Sequence, residues 1–381
     1  MEFQEKNETL NINKNELGIL SLIKEGLFGT CKHLMNEEES QKILKTHKFK
    51  GEIFPYPLSF APRNNEENLK AQTRLNLLLN DEIVGHIDIK NLFRNDENFI
   101  DIFNPNECLL KNKMRISGEF EIYNSEIKTL KENFLKIKNK LNAKRITALF
   151  SSFDPLHRAH ERMFRWMIDK ADLVVIFLIE SYKNDGFEFT LKEKYLKKFI
   201  QSYLPPEHIF IFPLKGIDIF HSRLNPGLES IIAKNLGCTK FVVGQNHSGL
   251  GMFYDHNQPK TILDDFSKDY GIEIIVLPEF VFCDKCRMIV STKSCPHGNH
   301  HHIHYDSNSL KNLLRAGLIP PAVFMRKEVS SIILSSLFPK RFKNMQQIYY
   351  SLFPTNGILE YKEDEEFYQK LLEIHQMSYM V

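Results

Sequence analysis

Residues 145–170 read RITALFSSFDPLHRAHERMFRWMIDK, and the fold class turns on them. Arg145 to Phe150 has the length and apolar content of a buried strand, and His160 to Lys170 reads as a helix; between them lies a loop holding two histidines and a proline. The alternation continues downstream. Leu173–Ile179 reads as a strand, Lys192–Tyr203 as a helix, Ile209–Leu214 as a strand and Leu228–Leu236 as a helix. Phe241–Val243 follows as a strand, then a helix over Thr261–Lys268 and a last strand over Ile272–Leu277. Five short strands separated by helices predict a parallel sheet with right-handed crossovers, a doubly wound, Rossmann-like α/β domain. Ligands of such sheets bind at the carboxyl ends of the strands, which directs attention to the residues after Phe150 and Val243.

Upstream, Ile127, Leu130, Phe134, Ile137 and Leu141 recur at three- and four-residue steps behind Ser125, a possible N-cap. The lysines of the opposite face read as solvated, since no aromatic residues interleave them. Leu75–Leu79 and Ile83–Ile89 are partly alternating runs separated by Asn80-Asp81, which predicts a hairpin, and Glu37–Thr46 predicts a helix. Beyond Pro320 the chain becomes helical and charged without a chemical motif.

The chain has 381 residues, more than one core usually supports, so two or three domains are expected. Apolar residues make up 42% and charged residues 26%, which excludes wholesale disorder. Lys plus Arg number 50 against 48 Asp plus Glu, a formal +2, so no global field attracts nucleic acid or an anionic membrane. The N-terminus MEFQEKNETL lacks a basic start followed by an apolar segment, and no apolar run is long enough for a membrane span; a cytoplasmic protein is expected.

The loop Ser151-Ser152-Phe153-Asp154-Pro155-Leu156-His157-Arg158-Ala159-His160 places two histidines three apart at a helix start, where unpaired backbone amides add positive potential. Imidazoles so placed suit the phosphates of a nucleotide and the extra charge of a transition state at the α-phosphorus. The same pair could hold a metal with a third ligand, and Glu161 adjoins it; the preceding strand and Pro155 favour the nucleotide. A second loop, Gly244-Gln245-Asn246-His247-Ser248-Gly249-Leu250-Gly251, has glycines that let backbone N–H groups approach a ligand, and His247 adds a donor.

The cysteines are unevenly spread: Cys283, Cys286 and Cys295 crowd together and five histidines lie between His297 and His304. A C-x-x-C turn presents two thiolates to one tetrahedral ion, and Cys295 with one imidazole completes a structural zinc site. His297, His300 and His301 are candidates for the fourth ligand, and His300 is favoured.

These residues resemble a known family. Phe150 to His160 is similar to the ATP sulfurylase (sulfate adenylyltransferase) motif Q-T-R-N-P-x-H-R-A-H. Gly237 to Gly251, GCTKFVVGQNHSGLG, resembles that family's G-C-T-x-F-I-V-G-R-D-H-A-G-x-G. Fainter likenesses are Gly26–Met35, the hairpin Asn76–Phe93 and LLRAGLIPPAVFMRKEV at residues 313–329, the last similar to L-R-E-G-x-x-P-x-x-x-x-R-P-E-V. The family's S-G-T-x-x-R step stands here as Asp306 to Lys311.

The resemblance implies a β-rich, PUA-like domain over residues 1–124, a nucleotidyltransferase domain over 125–320 with a zinc-binding segment at 283–301, and a helical region over 321–381. It implies adenylyl transfer from ATP, with Mg2+, to sulfate, giving adenylyl sulfate and pyrophosphate. Carried over by position, His157, His160, Ser152 and Asp154 would be catalytic. Ser151, Phe153, Gly244, Gln245, Asn246, His247 and Val281 would bind nucleotide, and Ser151, Ser248 and Arg223 would face the acceptor. Bacterial and archaeal members carry three Cys and one His in the corresponding insertion, and the family implies a homo-oligomer acting on small molecules. The chain departs from the motifs at Ser151, Ser152, Phe153, Asp154 and Gln245, two of which stand where the family has arginine. Alternatives are therefore an adenylyltransferase with another acceptor, or a non-catalytic nucleotide-binding homologue.

Overall fold

In a computed structural model, the apolar run that ends at the two-histidine loop is the central strand of a sheet buried on both faces. The structure describes residues 9–54, 56–62, 69–94, 102–103, 113–181, 185–217, 225–244, 252–255, 258–261, 271–354, 357 and 360–377. In chain order the elements are β1 (Thr9–Asn11), α1 (Lys14–Lys24), α2 (Glu37–Thr46), β2 (Lys48–Phe49), β3 (Glu52–Ile53), β4 (Arg74–Leu79), β5 (Glu82–Arg94), β6 (Met114–Ile122) and α3 (Glu126–Lys140). There follow β7 (Ile146–Ser151), α4 (Arg158–Ile168), β8 (Leu173–Leu178), α5 (Phe189–Tyr203), β9 (Ile209–Pro213), α6 (Asn225–Leu236), β10 (Lys240–Gly244), β11 (Met252–Asp255), β12 (Gln258–Thr261) and β13 (Glu273–Leu277). The last are β14 (Phe280–Cys283), β15 (Met288–Ser291), β16 (His302–Ile303), α7 (Ser307–Arg315), α8 (Lys327–Leu337), α9 (Met345–Leu352) and α10 (Asp364–Met377).

The chain forms two compact units, one of residues 1–150, 171–180 and 210–277 and one of 151–170, 181–209 and 278–381. In the first unit the five expected strands form one sheet in the order β13-β10-β7-β8-β9, with β10 parallel to both β13 and β7. The strand order reverses between β7 and β10, the topological switch point at which doubly wound sheets bind ligands. The continuous apolar runs ITALF and LVVIFL bury both faces of β7 and β8, as parallel strands require. Phe150 stacks flat on Phe177 of the neighbouring strand, centroids 4.1 Å apart, and meets Phe241 of β10 edge-on at 6.0 Å. Each such ring contributes about 1.5–3 kcal/mol by leaving water.

Local signals behave as the sequence predicts. Ser125 caps α3 by accepting from the Lys128 N–H (3.4 Å), Ile127 and Phe134 are buried, and Lys128, Lys136 and Lys140 are exposed. Asn80 and Asp81 both take positive φ (50° and 67°), so a two-residue turn joins β4 to β5, and β1 and β6 complete a four-stranded sheet. One expectation is corrected at its start: Thr261 ends strand β12, paired antiparallel with β11, instead of opening a helix; residues 262–268 lie outside the described residues. In the second unit α8 packs on α5, α7 and α10, and β14 lies between β15 and β16. No helix among the described residues is long and apolar enough to cross a membrane.

Candidate active site and metal centre

The loop leaving β7 is shaped by its backbone and by the packing of an aromatic ring. Phe153 sits at φ 45°, in the left-handed region that an aromatic residue rarely enters, and its N–H donates to the Ser151 hydroxyl at 3.2 Å. Its ring is 1% exposed, meets His160 edge-on (5.0 Å between centroids) and leans on Phe164 at 5.4 Å. The Tyr195 hydroxyl donates to the Phe153 carbonyl. Phe153 is thus packed in the core, where its ring supports the His160 imidazole. The Asp154–Pro155 peptide is cis.

Both histidines sit at the start of α4, His157 as its N-cap. The rings stack, 3.7 Å between centroids and 22° between planes, and His157 also stacks against Tyr305 at 5.3 Å and 26°. The His157 backbone N–H donates to His160 Nδ1 at 3.2 Å, which assigns the proton of the neutral ring to Nε2. Burial holds His160 down to about 3. Burial, and secondarily His160, hold His157 well below the usual histidine range. Neutral pH therefore finds two uncharged imidazoles, each with one N–H to donate. His157 Nδ1 is buried with no hydrogen-bond partner, an arrangement suited to a ring that completes its contacts with a bound group.

The acidic residues beside the histidines are already engaged. Asp154 accepts from the Phe187 N–H through Oδ1 (3.0 Å) and pairs with Lys311 through Oδ2 (3.2 Å). Glu161 is buried and held by Arg326 at 2.7 and 2.9 Å and by Arg165 at 3.0 and 3.2 Å, with Arg158 at 3.5 Å. Arg326 also lies over the Tyr203 ring at 4.1 Å, and the Tyr203 hydroxyl donates to Glu328. A carboxylate so saturated with arginine has no oxygen to spare as the third ligand of a His–His metal site. Lys311, Arg326 and Tyr305 escaped the sequence reading of the site. Their only signal was position: Lys311 ends one motif-like step, Arg326 lies in another and Tyr305 follows the histidine run.

Other expected site residues are placed as follows. Ser151 ends β7 with its hydroxyl in the turn, and Ser152 is partly exposed. Gly244 ends β10, adjacent and parallel to β7. Gln245, Asn246, His247, Ser248 and Arg223 lie outside the described residues. Val281 lies with Cys283 on the buried face of β14, 0% exposed.

Around the β14–β15 turn, Cys283, Cys286, Cys295 and His297 bring their ligand atoms within 4.8 Å of one another. His297 Nδ1 lies 3.4, 3.3 and 3.6 Å from the sulfurs of Cys283, Cys286 and Cys295, and the Cys286 and Cys295 sulfurs are 3.9 Å apart. A tetrahedral ion with ordinary metal–thiolate and metal–imidazole bonds sets such edges at about 3.6–3.8 Å, so the donor set fits a metal. The imidazole that the fold brings to the three sulfurs is that of His297, and not that of His300, the one favoured from the sequence. A short turn after Cys295 brings back the nearer imidazole, while His300 is exposed and rests on His301, which faces Asp284 at 2.8 Å. Cys31 and Cys238 are buried elsewhere, and burial pushes their thiols up to about 11 and about 12, the profile of inert packing residues.

The ATP-sulfurylase family model matches residues 125–336, which contain the whole parallel sheet, the two-histidine loop and the cysteine centre. This chain belongs to the ATP-sulfurylase family. Among its relatives, the sulfate adenylyltransferase of Carboxydothermus hydrogenoformans is 24% identical over 346 residues, covering 85% of this chain and 91% of that one. The sulfate adenylyltransferase of Cenarchaeum symbiosum is 31% identical over 189 residues, 49% of this chain and 50% of that one. Among solved structures, the hexameric APS kinase from Thiobacillus denitrificans has a TM-score of 0.68 at 15% identity, covering 89% of this chain; the chain spans 64% of that protein, and the likeness is one of fold. The two histidines of α4 fall within the matched residues, as do Phe153, Asp154 and Lys311.

Proposed function

We propose that the protein transfers the adenylyl group of ATP to sulfate, giving adenylyl sulfate and pyrophosphate. The observation that carries this is the pair of neutral, stacked imidazoles at the start of α4, directly after the strand that borders the switch point of the sheet. A sulfate oxygen attacks the α-phosphorus, a new P–O bond forms, the bond to the bridging oxygen breaks, and pyrophosphate leaves. No proton transfer is required, so the protein's task is to position the reactants and stabilise charge on the phosphate oxygens. Imidazole Nε2–H and the N-terminal amides of α4 are donors of that kind, and Mg2+ enters with ATP as part of the substrate.

Gly244 and residues 245–247 complete this reading as backbone and side-chain donors to ATP; Ser151, Ser248 and Arg223 are proposed to face the acceptor. Ser152 stays in the proposal as a hydroxyl donor. The Cys3His centre is read as structural zinc: four protein ligands leave no open position for chemistry. A PUA-like reading of residues 1–124, a nucleotidyltransferase domain over 125–320 and a helical region beyond it belong to the same proposal, as do a cytoplasmic location and a homo-oligomer.

The test is pyrophosphate release by the purified protein with Mg2+-ATP, with and without sulfate. Sulfate-dependent release is expected. Release only with some other acceptor would transfer the reading to that acceptor, and ATP binding with no release under any condition would make the chain a non-catalytic homologue.

A further inference from the structure

We propose that the buried Asp154–Lys311 pair is a positioning clamp for the His157/His160 loop, and that Asp154 takes no part in holding magnesium or phosphate. The inference rests on the adenylyl-transfer reading for its activity readout and on geometry alone for the clamp.

Asp154 follows a residue at φ 45° and precedes a proline, so its backbone has little freedom, and its side chain is 7% exposed. One oxygen takes the Phe187 N–H and the other the Lys311 ammonium. Lys311 projects from α7, is 4% exposed and reaches across to Asp185 Oδ1 at 3.3 Å, and Asp185 in turn faces Arg315 at 3.6 Å. Two carboxylates and two cations thus tie the histidine loop to the turn at residues 185–187 and to α7. Gly186 makes the approach possible. A Cβ there would lie 2.2 Å from the Ser181 side chain and 3.0 Å from Asp154 Oδ2, so any other residue would push the turn away.

The consequence is electrostatic as well as mechanical. A bare carboxylate three residues before the N-cap of a phosphate-binding helix would repel the substrate; paired with Lys311 it presents no net charge. Position 154 carries aspartate where the resembling motif has asparagine, while position 311 keeps a cation where the motif has arginine, so the added negative charge meets a positive one in a single contact. Truncating one partner of such a pair leaves the other buried and uncompensated, whereas neutralising both removes the penalty.

The experiment compares Asp154→Asn, Lys311→Met and the double variant in the full-length protein. It reads the thermal midpoint and, against Mg2+ concentration, sulfate-dependent pyrophosphate release. Lys311→Met is expected to lower kcat by about tenfold or more through loop displacement, and the midpoint by about 5 °C or more. Asp154→Asn is expected to do less, and the double variant to recover most of both losses. The Mg2+ concentration at half activity should stay within about twofold throughout, because no ligand of the ion has been removed. If Asp154→Asn alone raises that concentration tenfold or more, or if the two substitutions act independently, the clamp is refuted. Should Lys311→Met give no soluble protein, recovery of soluble protein in the double variant supports the pair and failure counts against it. Wild-type protein without sulfate-dependent release would overturn the functional reading while the midpoints still decide the clamp.

Discussion

Two sets of histidines in this chain share a side chain and little else. At the start of α4, His157 and His160 are packed against each other, against Phe153 and against Tyr305, and burial removes their charge. In the segment after Cys295, His297 is only partly buried and its Nδ1 faces three sulfurs, while His300 is exposed a turn away. Imidazole takes its chemistry from its neighbours. Apolar walls and a backbone N–H make a neutral hydrogen-bond donor, and soft thiolates at tetrahedral spacing make a metal ligand.

The largest expected effect is at the Cys283, Cys286, Cys295 and His297 cluster. Chelation, or Cys286→Ser, should unfold the β14–β16 sheet and lower the thermal midpoint, because the binding energy of such a site is folding energy. His297→Ala should cut bound metal per chain while His300→Ala leaves it at one, measured by elemental analysis; equal loss in both would remove the assignment of the fourth ligand. Next in size, His160→Ala should reduce kcat by about 10²–10³ with little change in metal content, the range found for removing a transition-state donor. A loss below about threefold would leave the α4 pair without its assigned task.

The smallest effect is in pH. His160 titrates at about 3 in the folded chain against its ordinary 6.5, so between those values the unfolded chain binds more protons. Its contribution to stability is therefore complete above about pH 6.5 and lost progressively as pH falls toward 3. A melting series from pH 7 to pH 4 should slope downward, and His160→Gln should flatten it; an unchanged slope would place the destabilisation elsewhere.

Much of this was legible in the sequence, for identifiable reasons. The strands of the central sheet are buried on both faces, so β7 and β8 stand out as unbroken apolar runs, and Ser125 and Asn80-Asp81 carry strong local cap and turn chemistry. The two histidines stand out through their spacing. What sequence could not supply depended on contacts far apart in the chain. Asp154 reads as chemistry until Lys311, 157 residues on, is seen against it. Phe153 reads as a missing cation until its ring is found in the core, and Val281 reads as a base contact until the register of β14 turns it inward. Residue counts carry no information about how sharply the chain turns after Cys295, so they do not separate His297 from His300.

The passage of the chain between its two units sets an order of events during synthesis. The two-histidine loop emerges early, but the groups that hold it come from residues 311 and 326, and α5 waits for α8. A nascent chain that has completed the whole parallel sheet at Leu277 still has Glu161 without Arg326 and Asp154 without Lys311. Long-range pairings of this kind are slow to form. The two-histidine loop is therefore held by groups that synthesis delivers late, long after the strand it leaves.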